Sequence, residues 1–427
     1  MKLGLPDSVQ YIIESLAAHG FEAYAVGGCV RDAILGREPD DWDITTSARP
    51  PQIKAVFPRT VDTGIVHGTV TVLHGGKGYE VTTYRIDGEY EDGRHPKEVS
   101  FTASLKEDLR RRDFTINAMA YNGETGLVDA FGGIEDLKKK RICCVGKAEE
   151  RFGEDALRIL RGVRFAAQLD FTLDGKTEEA MKKLAPALAK ISAERIQTEL
   201  SKLLLSKHPE QIDNLIQYKI AAVIFPEYEE LDGEQRQFIT EQLEKLEKGE
   251  AVLSDSAMQN LSARQKFSKA EELALRWAAV LQFFGEKRAM VVLRRLKYDN
   301  KTMANVQGIL KFYEMPEADP VSIRKALCAM GEELFAMALE FRRSRTKEAV
   351  ELERLSHMLE IERDILKKGE CVSLKELAVT GGDLLAIGCP KGREIGRILN
   401  ELLEMALEHP EANEKELLLK AAKERIN

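Results

Sequence analysis

The chain has 427 residues, 44% hydrophobic and 31% charged, with a formal net charge of −8. That length allows two or more domains and a sizeable core, and that composition reads as globular and soluble rather than disordered. The acidic balance argues against a protein that coats nucleic acid through bulk electrostatics, while leaving room for a local basic track. No apolar run approaches the ~20 residues needed to span a bilayer. The N-terminal MKLGLPDSVQYIIESL lacks the basic region and apolar core of a signal peptide. A cytoplasmic location is expected by default. The six cysteines form no C-x-x-C pair, and the seven histidines form no H-x-x-x-H or His-Asp doublet. Reduced thiols are therefore expected, and neither a zinc site nor an HD-type phosphohydrolase centre.

In chain order, residues 9–18 have helical spacing and residues 23–26 read as a strand. Residues 30–35 read as a short helix stopped by Gly36. Further β-prone runs follow at 42–46, 68–73, 79–84 and 115–121. The pattern predicts a small α/β unit with a mixed sheet up to about residue 145. Beyond it, Leu, Ala, Glu and Lys recur at helical spacing, as in 177–184, 193–205, 271–284 and 395–407, so this part is expected to be nearly all α. His208-Pro209, Phe225-Pro226, Met315-Pro316 and Asp319-Pro320 interrupt it, and residues 314–320 are the best linker candidate.

The chemistry concentrates in a few segments. Ala25-Val26-Gly27-Gly28-Cys29-Val30-Arg31-Asp32 sets a glycine pair between strand and helix. Gly27 and Gly28 permit positive φ and close ligand approach, and backbone N–H groups there suit phosphate. Arg31, one turn in, has the length to reach a triphosphate. Alone, the segment is equally an ordinary tight turn. In Asp41-Trp42-Asp43, i, i+2 spacing on a strand points both carboxylates to one face, where a divalent cation would relieve their repulsion. With Asp40 they also fit an exposed acidic turn. Glu80 is the candidate third carboxylate, with a plain surface glutamate as the alternative.

Arg110, Arg111 and Arg112 precede the strand-like run Phe114-Thr115-Ile116-Asn117-Ala118. Guanidinium forks suit phosphate oxygens, and Arg110 and Arg111 also read as a solvated basic cap. Asp155, Arg158, Arg161 and Arg164 recur every third residue opposite Leu157, Leu160, Val163 and Phe165. This stripe is either a salt-bridged outer face or a set of side chains reading the hydrogen-bonding edge of a base. The segment Tyr90-Glu91-Asp92-Gly93-Arg94-His95-Pro96 reads as a polar loop.

In order, GGCVRD with DWD, EDGRHP, RRDFTINAMA, EDALRILRGVRFA and SAERIQTEL resemble the motifs of the class II tRNA nucleotidyltransferases. These are the CCA-adding enzymes of the bacterial and eukaryotic class, within the DNA polymerase β-like superfamily. The motifs span about the first 200 residues, and Val379-Thr380-Gly381-Gly382-Asp383-Leu384 with Gly392-Arg393-Glu394-Ile395-Gly396 resembles the tail of bacterial members. The resemblance implies an α/β nucleotidyltransferase head at 1–145, then an all-α neck at 146–205, body at 206–315 and tail at 316–427. It implies that Asp41 and Asp43 hold Mg²⁺. Gly28 and Arg31 would contact the incoming nucleotide and Arg112 would bind it. Asp155 and Arg158 would pair with cytosine or adenine, and Arg161 and Arg164 would support that helix and the triphosphate. Residues 192–200 would buttress it.

The implied activity is template-independent addition of CMP, CMP and AMP to the tRNA 3′ end from CTP and ATP, with release of pyrophosphate and no general-base histidine. Expected partners are tRNA through its acceptor arm, CTP and ATP, with no membrane; a homodimer is left open. Three alternatives stand beside this. A CC-adding specialist is opposed by the EDGRHP segment, which the resemblance places in the switch to A; an A-adding specialist is not. A poly(A) polymerase is opposed by the mixed Glu and Lys of residues 408–427. A catalytically silent RNA-binding module is opposed by the presence of both Asp41 and Asp43.

Overall fold

The computed structural model describes residues 2–88, 99–249, 267–312 and 316–426. The chain divides into two compact units, Met1–Thr240 with Arg295–Lys297, and Glu241–Arg294 with Tyr298–Asn427.

The first unit is built on a seven-stranded mixed sheet in the order β3-β4-β5-β2-β1-β8-β9. Its strands are β1 Ala23–Val26, β2 Ile44–Thr46, β3 Thr60–Gly64, β4 Thr69–His74, β5 Lys77–Thr83, β8 Met119–Asn122 and β9 Gly126–Asp129. Only β2 and β5 run parallel, with Ile44 beside Val81. A separate hairpin pairs β6 Arg85–Asp87 with β7 Val99–Phe101. β1 and β8 are buried at all four positions, as strands covered on both faces must be. Helix α1, Asp7–Ala18, covers β1 with Val9, Ile12, Ile13 and Leu16. Tyr24, Val26, Tyr84, Leu105, Leu109, Ala118, Ala120 and Val145 form an apolar cluster on the sheet.

The other head helices are α2 Gly28–Ile34, α3 Pro50–Val56, α4 Leu105–Arg110 and α5 Gly133–Lys138. After them come α6 Ala148–Glu154, α7 Leu157–Leu169, α8 Gly175–Leu184 and α9 Ala193–Leu204. Among the described residues past 145, the one strand is the two-residue β11, Thr172–Leu173, parallel to β10, Arg141–Ile142.

The run at 115–121 departs from the expected strand. Thr115–Asn117 is a 3₁₀ turn, and the strand begins at Met119. Both side chains are drawn inward there: Thr115 Oγ1 donates to Asp136 (2.6 Å), and Asn117 Nδ2 donates to Asp113 (3.2 Å). Local polar bonds of this kind compete with a ladder.

In the second unit, helix Lys269–Leu281 starts with a capping box, Ser268 N–H to Glu271 (2.7 Å) and Glu271 N–H to Ser268 Oγ (3.4 Å). Helix Arg393–Glu408 buries Ile398, Leu402, Leu403, Ala406 and Leu407 against Val379, Leu384 and Leu418. A second cluster gathers Ile323, Leu327, Phe335, Leu339, Leu355 and Met358. Of the expected linker at 314–320, only 316–320 lies within the described residues. No helix among the described residues is long and apolar enough to cross a membrane.

Candidate active site

The Gly27 turn is built by close packing. Gly27 has φ of 87° and caps α2, and a Cβ there would stand 2.8 Å from Arg112 Nη1. Of the two glycines that permit positive φ, only Gly27 uses it. Gly28 is the first residue of α2, and a Cβ would meet only Arg31 Nη2 at 3.6 Å. One left-handed residue suffices to turn strand into helix.

Asp41 and Asp43 precede β2 rather than lying inside it. The pairing nevertheless reaches Asp43, whose carbonyl accepts the Val26 N–H at 3.0 Å, so the acid sits beside the Gly27 turn. Continuing the β2–β5 register back one residue from Ile44 and Val81 brings Glu80 alongside Asp43. Asp43 keeps solvent contact, yet its carboxyl is pushed above the usual range. Loss of hydration within the surrounding protein is the main cause and Asp41 adds to it, against the pull of Arg112. Glu80 is raised by burial, then by Asp43 and Asp41. The three acids thus share one field. Among the described residues, no three His, Cys, Asp or Glu side chains form a metal cage by themselves. A hard cation held by one or two carboxylates and completed by substrate phosphates needs no such cage, and this donor set fits it. Cys29 lies behind the turn, its thiol pushed up to about 11 by burial, and so is no nucleophile. All six cysteines are free.

Asp108, missed from sequence, ties these parts together and is fully buried. It accepts Thr45 Oγ1 (3.1 Å), the Arg85 N–H (3.3 Å) and Arg111 Nε (2.9 Å), with Arg112 Nη2 at 3.8 Å. Burial alone would raise its carboxyl; Arg111 and Arg112 more than offset this and hold it low. Arg111 is therefore no solvated cap, whereas Arg110 is, with an exposed pair to Glu107. Arg112 Nε is buried with no hydrogen-bond partner among the described residues. Desolvation lowers this guanidinium's pKa, opposed by Asp108.

The arginine stripe turns inward. Arg158 and Arg164 are buried and Arg161 half-buried, so the outer-face alternative fails although every arginine has an acidic partner. Arg158 donates to Glu154 (2.5 Å) and to the carbonyls of Arg151 and Arg111 (both 3.1 Å). Arg161 pairs with Asp113 through Nε (2.8 Å) and Nη2 (2.7 Å). Arg164 pairs with Glu199 and donates to Gln168 (2.6 Å). Arg31 spans Asp32 (2.8 Å) and Asn117 (2.6 Å) rather than standing open. The Phe165 ring gathers the guanidiniums of Arg31, Arg161 and Arg164 at 5.2, 5.4 and 3.8 Å. By spacing alone, Phe165 belongs to the apolar side of the stripe. Asp155 is not on α7 with the arginines; it ends α6 in extended conformation and pairs with Arg195 of α9 at 2.7 Å.

The structure thus gathers Asp43, Glu80 and Arg112, with Asp41 in their field, around the Gly27–Gly28 turn, and Arg31, Arg161 and Arg164 on one ring. The EDGRHP segment lies outside the described residues.

Comparison with known proteins gives three family matches. The Poly A polymerase head domain matches residues 23–143, the RNA and SrmB-binding site of polymerase A matches 170–231, and tRNA nucleotidyltransferase domain 2 matches 268–422. A CCA-adding enzyme of Streptococcus suis is 37% identical over 427 residues, covering 98% of each chain. That of Streptococcus mutans is 36% identical, covering 97% of this chain and 96% of its own. The crystal structure of the Bacillus stearothermophilus CCA-adding enzyme in complex with CTP aligns at TM-score 0.75 and 33% identity, over 97% of both chains. A Thermotoga maritima CCA-adding enzyme complexed with tRNA shares the fold, at TM-score 0.64 and 21% identity. Identity of this extent, over nearly the full length of both partners, shows that the chain belongs to the CCA-adding enzyme family of tRNA nucleotidyltransferases.

Proposed function

We infer that this chain adds CMP, CMP and AMP to the 3′ end of tRNA without a nucleic-acid template, from CTP and ATP, releasing pyrophosphate. Full-length similarity to CCA-adding enzymes carries the reading. The CTP complex of one relative and the tRNA complex of a more distant one support the same partners.

Asp41 and Asp43 would hold Mg²⁺, with Glu80 adding negative field beside them. A bound divalent cation supplies neutralisation of the triphosphate and acidification of the attacking hydroxyl. The chain's own residues do the rest by position and charge. Gly28 opens space at the turn for phosphates. Arg112, held between Asp108 and Asp43, presents a cation to them. Arg31, Arg161 and Arg164 form a clamped basic floor on Phe165. Asp155 and Arg158 offer the acceptor and donors that read a base edge. The four-part division into head (1–145), neck (146–205), body (206–315) and tail (316–427) belongs to this reading, with the helical parts holding tRNA by shape and backbone.

The test is sequencing of products formed on tRNA ending before CCA. CTP alone is expected to give CC, ATP alone no extension, and both together CCA. Arrest at CC with both nucleotides means a CC-adding specialist, A added only to CC-ended tRNA an A-adding one, and long A runs a poly(A) polymerase. Binding without transfer leaves only an RNA-binding module.

A further inference from the structure

Resting on the reading that this chain extends the tRNA 3′ end, we propose that the open face of β3, β4 and β5 seats the terminal tRNA nucleotide. Val61, Thr71, Leu73 and Gly78 form a shelf that holds it by the faces of its ribose and base and reads no base edge.

Strand register places the shelf. Side chains alternate between the faces of a sheet. Thr45 lies beside Thr82, which stands opposite Thr69; two residues along, Glu80 stands opposite Thr71, and two further, Gly78 opposite Leu73. Thr71 in turn pairs with Val61 of the edge strand β3. All share one face with Asp43, two residues before Thr45. The other face is closed. Val70 and Val72 are buried there, with α3 against β4, and His74 stacks on Tyr11 of α1 at 4.3 Å. On the acidic face, α4 covers Thr45 through Asp108 (3.1 Å), whereas Val61 and Leu73, diagonal neighbours, stay 46% and 44% exposed. Gly78 lies beneath them: a Cβ would stand 2.9 Å from Thr71 Cγ2 and 3.6 Å from Leu73 Cδ2. A glycine inside a strand marks a close approach, and here it lets the neighbouring side chains lie flat. The Thr71 hydroxyl bonds that of Thr63 at 2.7 Å. None of the four shelf side chains is charged, so none grips phosphate.

The direction of the reaction selects the occupant. As the 3′ oxygen bonds to the α-phosphorus, pyrophosphate leaves on the opposite side, in line. The strand β2 lies between β1 and β5. The Gly27 turn and Arg112, the proposed seat of the triphosphate, stand on the β1 side. The attacking hydroxyl therefore comes from the β5 side, past Glu80, and the nucleotide bearing it lies over β4 and β3. The three strand spacings from β2 to β3 come to about 14 Å, enough to bed a nucleoside beside the acids. The terminal base changes at each step of C, C and A addition. A shelf without fixed donors or acceptors accepts every one, and leaves selection to the incoming nucleotide.

The experiment follows CMP addition by full-length enzyme to tRNA ending before CCA. Leu73→Asp and Leu73→Asn are each expected to lower kcat about tenfold or more by misplacing the hydroxyl. KM for CTP, tRNA affinity in filter binding and its salt dependence are expected to stay near wild type. Leu73→Met is expected to restore most of the rate lost in Leu73→Asn. Wild-type enzyme is also photo-crosslinked to the same tRNA carrying 4-thiouridine as its last nucleotide, a readout independent of any variant's folding. Adducts are expected on peptides spanning residues 61–78. Unchanged kcat in the Asp and Asn variants, a raised KM for CTP in place of the kcat loss, or adducts confined to helical segments each overturn the seat. Wild-type enzyme that adds no C overturns the proposed function as well; wild-type addition with unaltered Leu73 variants overturns the seat alone.

Discussion

Burial raises every acidic residue of the site whose carboxyl is shifted, and the neighbouring charges decide whether that rise survives. Asp43 and Glu80 are raised by burial and by the acids beside them, Arg112 only partly opposing this at Asp43, while at Asp108 and Asp113 the arginines outweigh burial and the carboxyls are lowered. For Asp113, burial pushes the carboxyl up, but Arg161, with hydrogen bonds from Arg161 and Asn117, overcomes it and holds it far below the ordinary range. An unfolded aspartate ionises near ~3.9, so as pH falls the unfolded chain takes up protons before Asp113 and Asp108 do. Stability from these groups is fully present above about pH 4 and is lost below it. Asp113→Asn is expected to flatten that acid limb in urea midpoints measured against pH, while costing about 2 kcal/mol at neutral pH through the charged bonds it removes. Asp41→Ala is expected to abolish transfer while tRNA binding stays close to wild type in filter binding. Equal loss of both would make the acids structural.

The βα turn and helix α7 are the elements on which the site rests, and each depends on one glycine. Gly27→Ala places a side chain at φ of 87° and against Arg112. It is expected to cost about 1–2 kcal/mol and to raise KM for CTP by displacing that guanidinium. Gly28→Ala has room and a helical backbone, so folding is expected to hold in thermal melts while KM for both nucleotides rises, because the methyl fills the proposed phosphate space. A fall in Tm for Gly28→Ala matching that of Gly27→Ala would show that the two glycines play the same part. In α7, Gly162 lets the helix approach the Phe114 ring, which a Cβ would meet at 3.2 Å. Phe114 in turn stands edge-on to Phe165 at 5.8 Å, so the arginine floor is packed from below. The spacing of Arg158, Arg161 and Arg164 was legible as a stripe. Its inward direction was not, because a three-residue repeat drifts around a helix and only packing against Phe114 and α9 decides which side is core.

At the scale of the molecule, a net charge of −8 has to coexist with an RNA substrate. The proposed reading resolves this by local basic surface, and contacts to phosphate then release counterions. The logarithm of tRNA affinity is expected to fall linearly with the logarithm of salt concentration, at about 0.7–0.9 per phosphate neutralised. A flat response in fluorescence titrations would mean that tRNA is held by neutral contacts instead. The contrast between a strand-rich beginning and a helical remainder was readable from composition and periodicity, as the sheet strands ending at Asp129 and the long helix Arg393–Glu408 show. The seven-strand order was not, since strands as short as Ile44–Thr46 carry no label for their neighbours.

The sequence by itself determined the chemistry available: two acids one residue apart, a glycine pair after an apolar strand, and an Asp/Arg series at three-residue spacing that fits either a salt-bridged face or a base-reading one. It determined these because spacing along a chain fixes which side chains share a turn or a face. Only the tertiary structure decided partners. It set Asp108 under Thr45, Arg85 and Arg111, gathered three guanidiniums on Phe165, and gave Asp155 to Arg195. These pairs lie up to 134 residues apart, as for Arg31 and Phe165, and burial in a shared low-dielectric interior is what makes such distant charges choose one another.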